Sequence, residues 1–230
     1  MKIHNLTSLL FVAGLVMLLT ALLVELPFGH GPMQTGQSIL EQAPQTTGTA
    51  NIVTSVVLGY RGLDTLGELT ILFIAATAVG LVLGKQTNPH PIRPGGYILR
   101  IAADVLHPFL LLLGVYIIVH GHLTPGGGFQ GGVILAIAYF LPLLAGTENI
   151  IQEKLVTVLE GLAGAAFITI GLLSLFKHGD FLAPLLGTGT LGELFSGGTL
   201  PLLYIAVGLK VGSEMAGLMM RMLQEDGPTA

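Results

Sequence analysis

The chain has no cysteine and no tryptophan, and only 10% of its 230 residues are charged. Without cysteine there can be no disulfide, no thiolate-held iron–sulfur cluster and no thiolate zinc site. Without tryptophan an interfacial aromatic belt lacks its usual anchor. The net charge is −4 and no basic block occurs, so nucleic acid is not an expected partner. Apolar residues are abundant instead, at 52% of the chain, with a mean hydropathy of +0.81. A soluble domain with so little surface charge would precipitate, so most of this surface should meet lipid.

A bilayer core about 30 Å thick takes roughly 20 helical residues per crossing. Six apolar runs fit: Leu6–Leu26, Leu66–Gly84, Leu99–Val119, Gly131–Gly146, Leu155–Phe176 and Leu200–Leu223. The expected fold class is an all-α membrane protein with about six transmembrane helices. A β-barrel would alternate polarity over segments of about 10 residues, and these runs are continuous. Lys2 before the first run is also compatible with a signal peptide. The run exceeds a signal h-region of about 7–15 residues, however, and no A-x-A site follows Leu26. Lys2, Lys85, Arg93, Arg100, Lys154 and Arg221 fall on one side if the spans alternate, whereas Arg61 and Lys177 fall on the other. The positive-inside rule then places both termini in the cytoplasm, in the cell (cytoplasmic or inner) membrane. Ala43–Gly48 and Gly126–Gly128 are expected to face outward.

Two modules are expected, 1–90 with two spans and 91–230 with four. The joint is Gln86–Gly96, where Pro89, Pro91 and Pro94 forbid a continuous helix. A polar outer loop is expected from Pro27 to about Thr54, and the apolar stretch Ile52–Tyr60 is expected along the membrane surface. No internal repeat is visible, so an inverted-repeat carrier is not supported.

The sharpest local string is His120-Gly-His-Leu-Thr-Pro-Gly-Gly-Gly-Phe-Gln-Gly-Gly132. Its candidate motif residues are Pro125, Gly126, Gly127, Gly128, Phe129, Gln130, Gly131 and Gly132. Successive glycines allow positive φ and close backbone approach. They could make a tight turn between helices, a contact with a neighbouring subunit, or an anion-binding nest. No Lys-Ser/Thr follows as in a phosphate-binding P-loop. His120 and His122 are two apart and would point to different helix faces, so no metal site is assigned.

This string, together with the Leu99–Val119 span and Ala206-Val-Gly-Leu-Lys-Val211, resembles the B subunit of Mrp/Mnh-type multisubunit cation/proton antiporters. The resemblance covers about residues 97–225. The same module occurs in membrane-bound hydrogenases and related ferredoxin-linked complexes. Tyr60-Arg-Gly-Leu-Asp-Thr-Leu-Gly-Glu68 resembles a segment in the carboxy-terminal part of the antiporter A subunit, which stands alone as the E subunit of membrane-bound hydrogenases. The resemblance implies a fusion of two neighbouring small subunits and a non-redox, ion-handling role without a cofactor. The implied partners are other membrane subunits of an antiporter or hydrogenase-like complex, the lipid bilayer, Na+ and H+. Any oxidoreductase chemistry would belong to other chains, and no nucleophile–base set or nucleotide loop marks this one as an enzyme.

Charges at bilayer depth cost about 2.5–3.5 kcal/mol on insertion scales and by default mark a site. Asp64 and Glu68 are four apart and share a helix face. Glu68 is the deeper one; it could face a hydrated cavity that handles Na+ or protons, or pair with Arg61 at the interface. Asp104 and His107 can touch across one turn and pass protons, or snorkel to the interface. Lys210 can pair with Glu214 one turn on or with Glu160, or it can gate ion passage. Gly208 and Gly212 beside Lys210 suit close helix contact. Two other roles remain open: a subunit that only seals larger transporters together, and a self-contained channel or carrier.

Overall fold

The computed structural model describes residues 3–25, 34–83, 95–146 and 153–225. The described residues are α-helices and their connections, with no strand among them. Residues 1–38 and 39–230 form two compact units. In the first, α1 spans Ile3–Glu25, and its side chains from Leu6 onward are exposed.

Five described helices are long and apolar enough to cross a membrane. They are α1, α4 (Gly62–Leu83), α5 (Tyr97–Val119), α7 (Glu153–His178) and α8 (Leu200–Glu225). The remaining expected span is α6, Gly128–Leu144, with 17 residues. At 1.5 Å per residue it reaches about 26 Å, the short end of what spans a bilayer.

The polar loop expected over Pro27–Thr54 is corrected by the structure, because Gln34–Thr47 forms helix α2. The segment is mostly polar, but Ile39, Ala43 and Thr47 recur every four residues and form the face it buries. Ile52–Thr54 makes a single α-turn, α3, capped by the Asn51 side chain, and Ser55–Tyr60 continues as a π-helical turn into α4. Thr54, Ser55 and Leu58 of this stretch are buried in protein. Lys2, Lys85 and Arg93, on which the orientation partly rests, and residues 86–94 of the expected joint lie outside the described residues.

Within 39–230, α8 is the central helix and packs on α4, α5, α6 and α7. Its contact with α6 is built from small residues. A Cβ on Gly128 would lie 2.6 Å from Val207 Cβ, and one on Gly132 would lie 2.8 Å from the Gly208 carbonyl oxygen. Gly131 turns the other way, where a Cβ would meet the Gly114 oxygen of α5 at 2.8 Å. Gly128 and Gly132 are four apart and Gly131 three from Gly128, so one short glycine string serves two helix contacts at once. Gly127 starts the helix at φ 142°, in a region that disfavours side chains, with the Tyr204 ring against it. The glycine string is thus a turn followed by two close-packing faces.

The link between α7 and α8, residues 179–199, is irregular and long for a compact protein. It folds over the end of the bundle that holds the α5–α6 hairpin. A Cβ on Gly48 would strike the Thr188 carbonyl at 2.5 Å, and Gly197 lies between Thr49 and His122.

Candidate functional site

Two polar constellations lie along α8, the first where it meets α4 and the second where it meets α7. The first is a cavity of about 230 Å³, open on one side, lined by Val53, Val57, Leu58, Thr65, Glu68, Gly126, Phe129, Gln130, Tyr204 and Val207. Glu68 is exposed on α4, one turn beyond the buried Thr65. The alternative ion partner for Glu68 is already occupied: Arg61 Nη2 and Nε both lie 2.5 Å from Asp64 Oδ2, in an exposed pair. Asp64 is therefore an exposed carboxylate held by Arg61 at the start of its own helix. Glu68 has no ion pair among the described residues.

The second constellation lies farther along α8, where it meets α7. Lys210 Nζ donates to Glu160 Oε1 of α7 at 3.1 Å and lies 2.9 Å from Glu214 Oε2 of α8. The Glu214 contact is an ion contact without hydrogen-bond angles, and neither Glu214 oxygen has a hydrogen-bond partner among the described residues. The lysine ammonium also sits 4.8 Å from the centroid of the Phe73 ring of α4. Gly164 of α7 makes room for the lysine stem, whose Cε would be 3.7 Å from a Cβ there. Lys210 and Glu214 are buried, and Glu160 is about a quarter exposed. With all three ionised the cluster carries one surplus negative charge. The sequence alternatives Lys210–Glu214 and Lys210–Glu160 are thus both realised, as one triad.

The two constellations are in register. Glu68 and Phe73 are five residues apart on α4, and Tyr204 and Lys210 six apart on α8. That corresponds to about 7.5 Å and about 9 Å along the respective axes. Nearer the far end of this pair, a Cβ on Gly80 of α4 would meet the Arg221 guanidinium of α8.

Asp104 and His107 are not brought together by a hydrogen bond or ion pair. Asp104 is exposed, whereas His107 Nδ1 donates to the Ala138 carbonyl of α6 at 2.6 Å and its ring packs edge-on to Tyr139. That carbonyl needs a donor because the residue four ahead is Pro142, which has no N–H. His107 therefore repairs a helix. Pro142 was the available sequence signal.

The segment 48–55 is fastened to the α5–α6 hairpin. Asn51 Nδ2 donates to the carbonyls of Gly121 at 2.8 Å and Thr124 at 2.9 Å, and its backbone N–H donates to the His122 carbonyl at 3.0 Å. Thr54 Oγ1 donates to Gly121 O at 2.8 Å and lies 2.9 Å from Tyr204 Oη. Thr47, Thr49 and Ser55 form a buried ring of hydroxyls with spacings of 2.5–2.9 Å. His120 stacks on Tyr116, but His122 is wholly buried, and both of its ring nitrogens lack a hydrogen-bond partner among the described residues. Burial pushes its imidazole below the ordinary histidine value of 6.5 and outweighs the opposing backbone groups of Glu193 and Leu194. Nothing in the spacing of His120 and His122 signalled that burial.

Residues 98–217, more than half of the chain, match the family described as a domain related to the MnhB subunit of Na+/H+ antiporter. The chain belongs to this MnhB-related family. Residues 7–90 match a second family, described as the E subunit of MBH. A chain of the membrane-bound sulfane sulfur reductase, an archaeal respiratory membrane complex, is 39% identical. That likeness has a TM-score of 0.81 and covers 98% of this chain and 100% of that one. A chain of the Mrp complex from Dietzia is 26% identical with a TM-score of 0.73, covering 100% of this chain and 27% of that one. A Rhizobium meliloti protein, named as the A/B subunit of a probable K(+)/H(+) antiporter, is 26% identical over 150 residues, covering 54% of this chain and 15% of its own length. The MnhB-related chain is thus a multi-pass membrane protein and a membrane subunit of an Mrp-type antiporter or a membrane-bound respiratory complex. Its structural neighbours are subunits of multisubunit membrane complexes.

Proposed function

We propose that this subunit contributes an ion path for coupled Na+ and proton movement, running along the α4–α8 contact past Glu68 and the Glu160–Lys210–Glu214 triad. The supporting observation is their alignment. A carboxylate in an open cavity and a buried, charge-unbalanced triad lie in sequence along α8, the first against α4 and the second against α7 with the Phe73 ring of α4 beside it. A surplus negative charge in such a place is compensated by a proton or a metal cation, which is what a relay between the two would exchange. Glu68 is the entry group in this reading. Lys210 is the gate, held between two carboxylates that compete for it. Asp104 stands outside the path, Asp64 is the partner of Arg61, and His107 is structural.

The two modules, 1–90 and 91–230, act in this reading as neighbouring subunits joined in one chain, with α4 from the first and α8 from the second. Both termini are cytoplasmic and the membrane is the cytoplasmic one. The chain carries no redox step of its own, so any oxidoreductase activity sits in other chains of the complex.

The close glycine packing and the salt-bridged lysine also suit a subunit that only fills space between larger transporters. Substitution separates the two. In the whole complex, Glu68→Gln and Lys210→Met are each expected to remove cation-dependent proton transport from vesicles. Normal transport by both would leave only the space-filling role.

A further inference from the structure

The cavity beside Glu68 has a polarity that follows from counting hydroxyl hydrogens. Thr54 has one hydroxyl hydrogen and gives it to the Gly121 carbonyl at 2.8 Å. Its contact with Tyr204 Oη at 2.9 Å must then run the other way, with the tyrosine as donor. Tyr204 has spent its only hydrogen, so toward any occupant of the cavity its oxygen can only accept. Thr65 repeats the arrangement, since its hydroxyl hydrogen goes to the Val57 carbonyl at 2.6 Å and leaves only lone pairs. Both residues are buried, with 4% exposure, which fixes these orientations. Glu68, when ionised, is also acceptor-only, and the Gln130 side chain can turn its amide oxygen inward. These four residues line the same cavity.

A site whose fixed oxygens have no hydrogen to offer repels anions and binds a donor or a metal cation. We infer that Tyr204 and Thr65, with Gln130, complete an oxygen-ligand site for a partly dehydrated monovalent metal cation at Glu68, and that they set its cation affinity. Hard cations prefer carboxylate, hydroxyl and amide oxygen. The cavity holds a small ion with part of its water shell. Thr54 and Val57 are positioning groups, because each accepts or redirects the hydrogen that would otherwise point into the site. Thr54 and Thr65 come from the first module and Tyr204 and Gln130 from the second, so the site exists only where the two are joined. This inference rests on the reading of Glu68 as an ion carrier.

The test uses the intact complex in sealed vesicles, with Na+ as the probe and transport rate measured against Na+ concentration at fixed pH. Tyr204→Phe and Thr65→Val are each expected to raise the half-saturating Na+ concentration about tenfold while the rate at saturating Na+ stays within about twofold. A tenfold change corresponds to about 1.4 kcal/mol, within the usual worth of a hydrogen bond or ligand oxygen in a partly wet site. Gln130→Leu should raise it less. It keeps the test decisive if Tyr204→Phe or Thr65→Val fails to assemble, because the Gln130 side chain is exposed. An unchanged half-saturating concentration in every variant that assembles, alongside loss of transport in Glu68→Gln, overturns the cation site but leaves Glu68 as a carrier. Normal transport in Glu68→Gln removes both.

Discussion

Asn51 Nδ2 donates hydrogen bonds to the carbonyls of Gly121 and Thr124, 70 and 73 residues further along the chain. The same side chain's Oδ1 accepts from the Val53 N–H and caps α3. One amide therefore both starts the turn leading into α4 and closes the α5–α6 hairpin. Asn51→Ala leaves two carbonyls and one N–H without these partners. The expected cost is about 1–3 kcal/mol, seen as a lowered thermal midpoint of the detergent-solubilised complex. Asn51→Asp, which can cap but cannot donate to the carbonyls, should recover little of it.

Glycine packing between α6 and α8 predicts a different failure. Gly132→Val would push side-chain atoms into the Gly208 carbonyl and Val211, both within 3 Å of the added Cβ. Helix backbones cannot yield as side chains do, so loss of assembly is expected rather than a graded loss of transport. Size-exclusion chromatography of the complex reads this directly. Gly161→Ala is the control, since a Cβ there meets nothing within 4 Å.

The triad predicts non-additivity. Lys210→Met leaves Glu160 and Glu214 without their cation, and removing one partner of a buried pair typically costs about 3–5 kcal/mol. Adding Glu214→Gln removes one of the stranded carboxylates, so the double variant is expected to be more stable than Lys210→Met alone. Thermal unfolding of the two checks this. If the double variant is the less stable, Glu214 is held by something other than Lys210.

Legibility in the sequence differs by element. Continuous apolar runs mark α1, α4, α5, α7 and α8, because a spanning helix is apolar both where it faces lipid and where, as in α8, it faces packed neighbours. Helix α2 escapes notice for the opposite reason: Gln34–Thr47 is mostly polar with Pro44 inside it, and its one signal is the short i,i+4 face of Ile39, Ala43 and Thr47. The i,i+4 spacing alone brings Lys210 and Glu214 together, but the joint grip of Glu160 depends on how α7 packs on α8, which spacing cannot encode. Tyr204 goes unnoticed because a lone tyrosine in an apolar span reads as core. Its role appears only once Thr54, 150 residues earlier, lies beside it.

Acid sensitivity should come in part from His122. Its folded-state affinity for protons is lowered by burial, so between the folded value and 6.5 the unfolded chain binds more protons than the folded one. Its contribution to stability is thus complete above about pH 6.5 and lost as pH falls through the lowered folded-state value. The thermal midpoint of the complex should fall on acidification below that point. His122→Gln, which does not titrate, should flatten that part of the profile. An equally steep fall in the variant would assign it to other groups.

The most direct test of the ion path is Na+ uptake into vesicles carrying the complete complex, wild type against Glu68→Gln, driven by an imposed proton gradient. Native mass spectrometry of both preparations establishes first that their subunit composition is the same. Glu68→Gln is expected to assemble normally and to lose at least about tenfold in Na+ uptake, because the carboxylate of the cavity no longer carries charge. Wild-type uptake by a fully assembled Glu68→Gln complex would contradict the ion path and leave the chain a packing subunit.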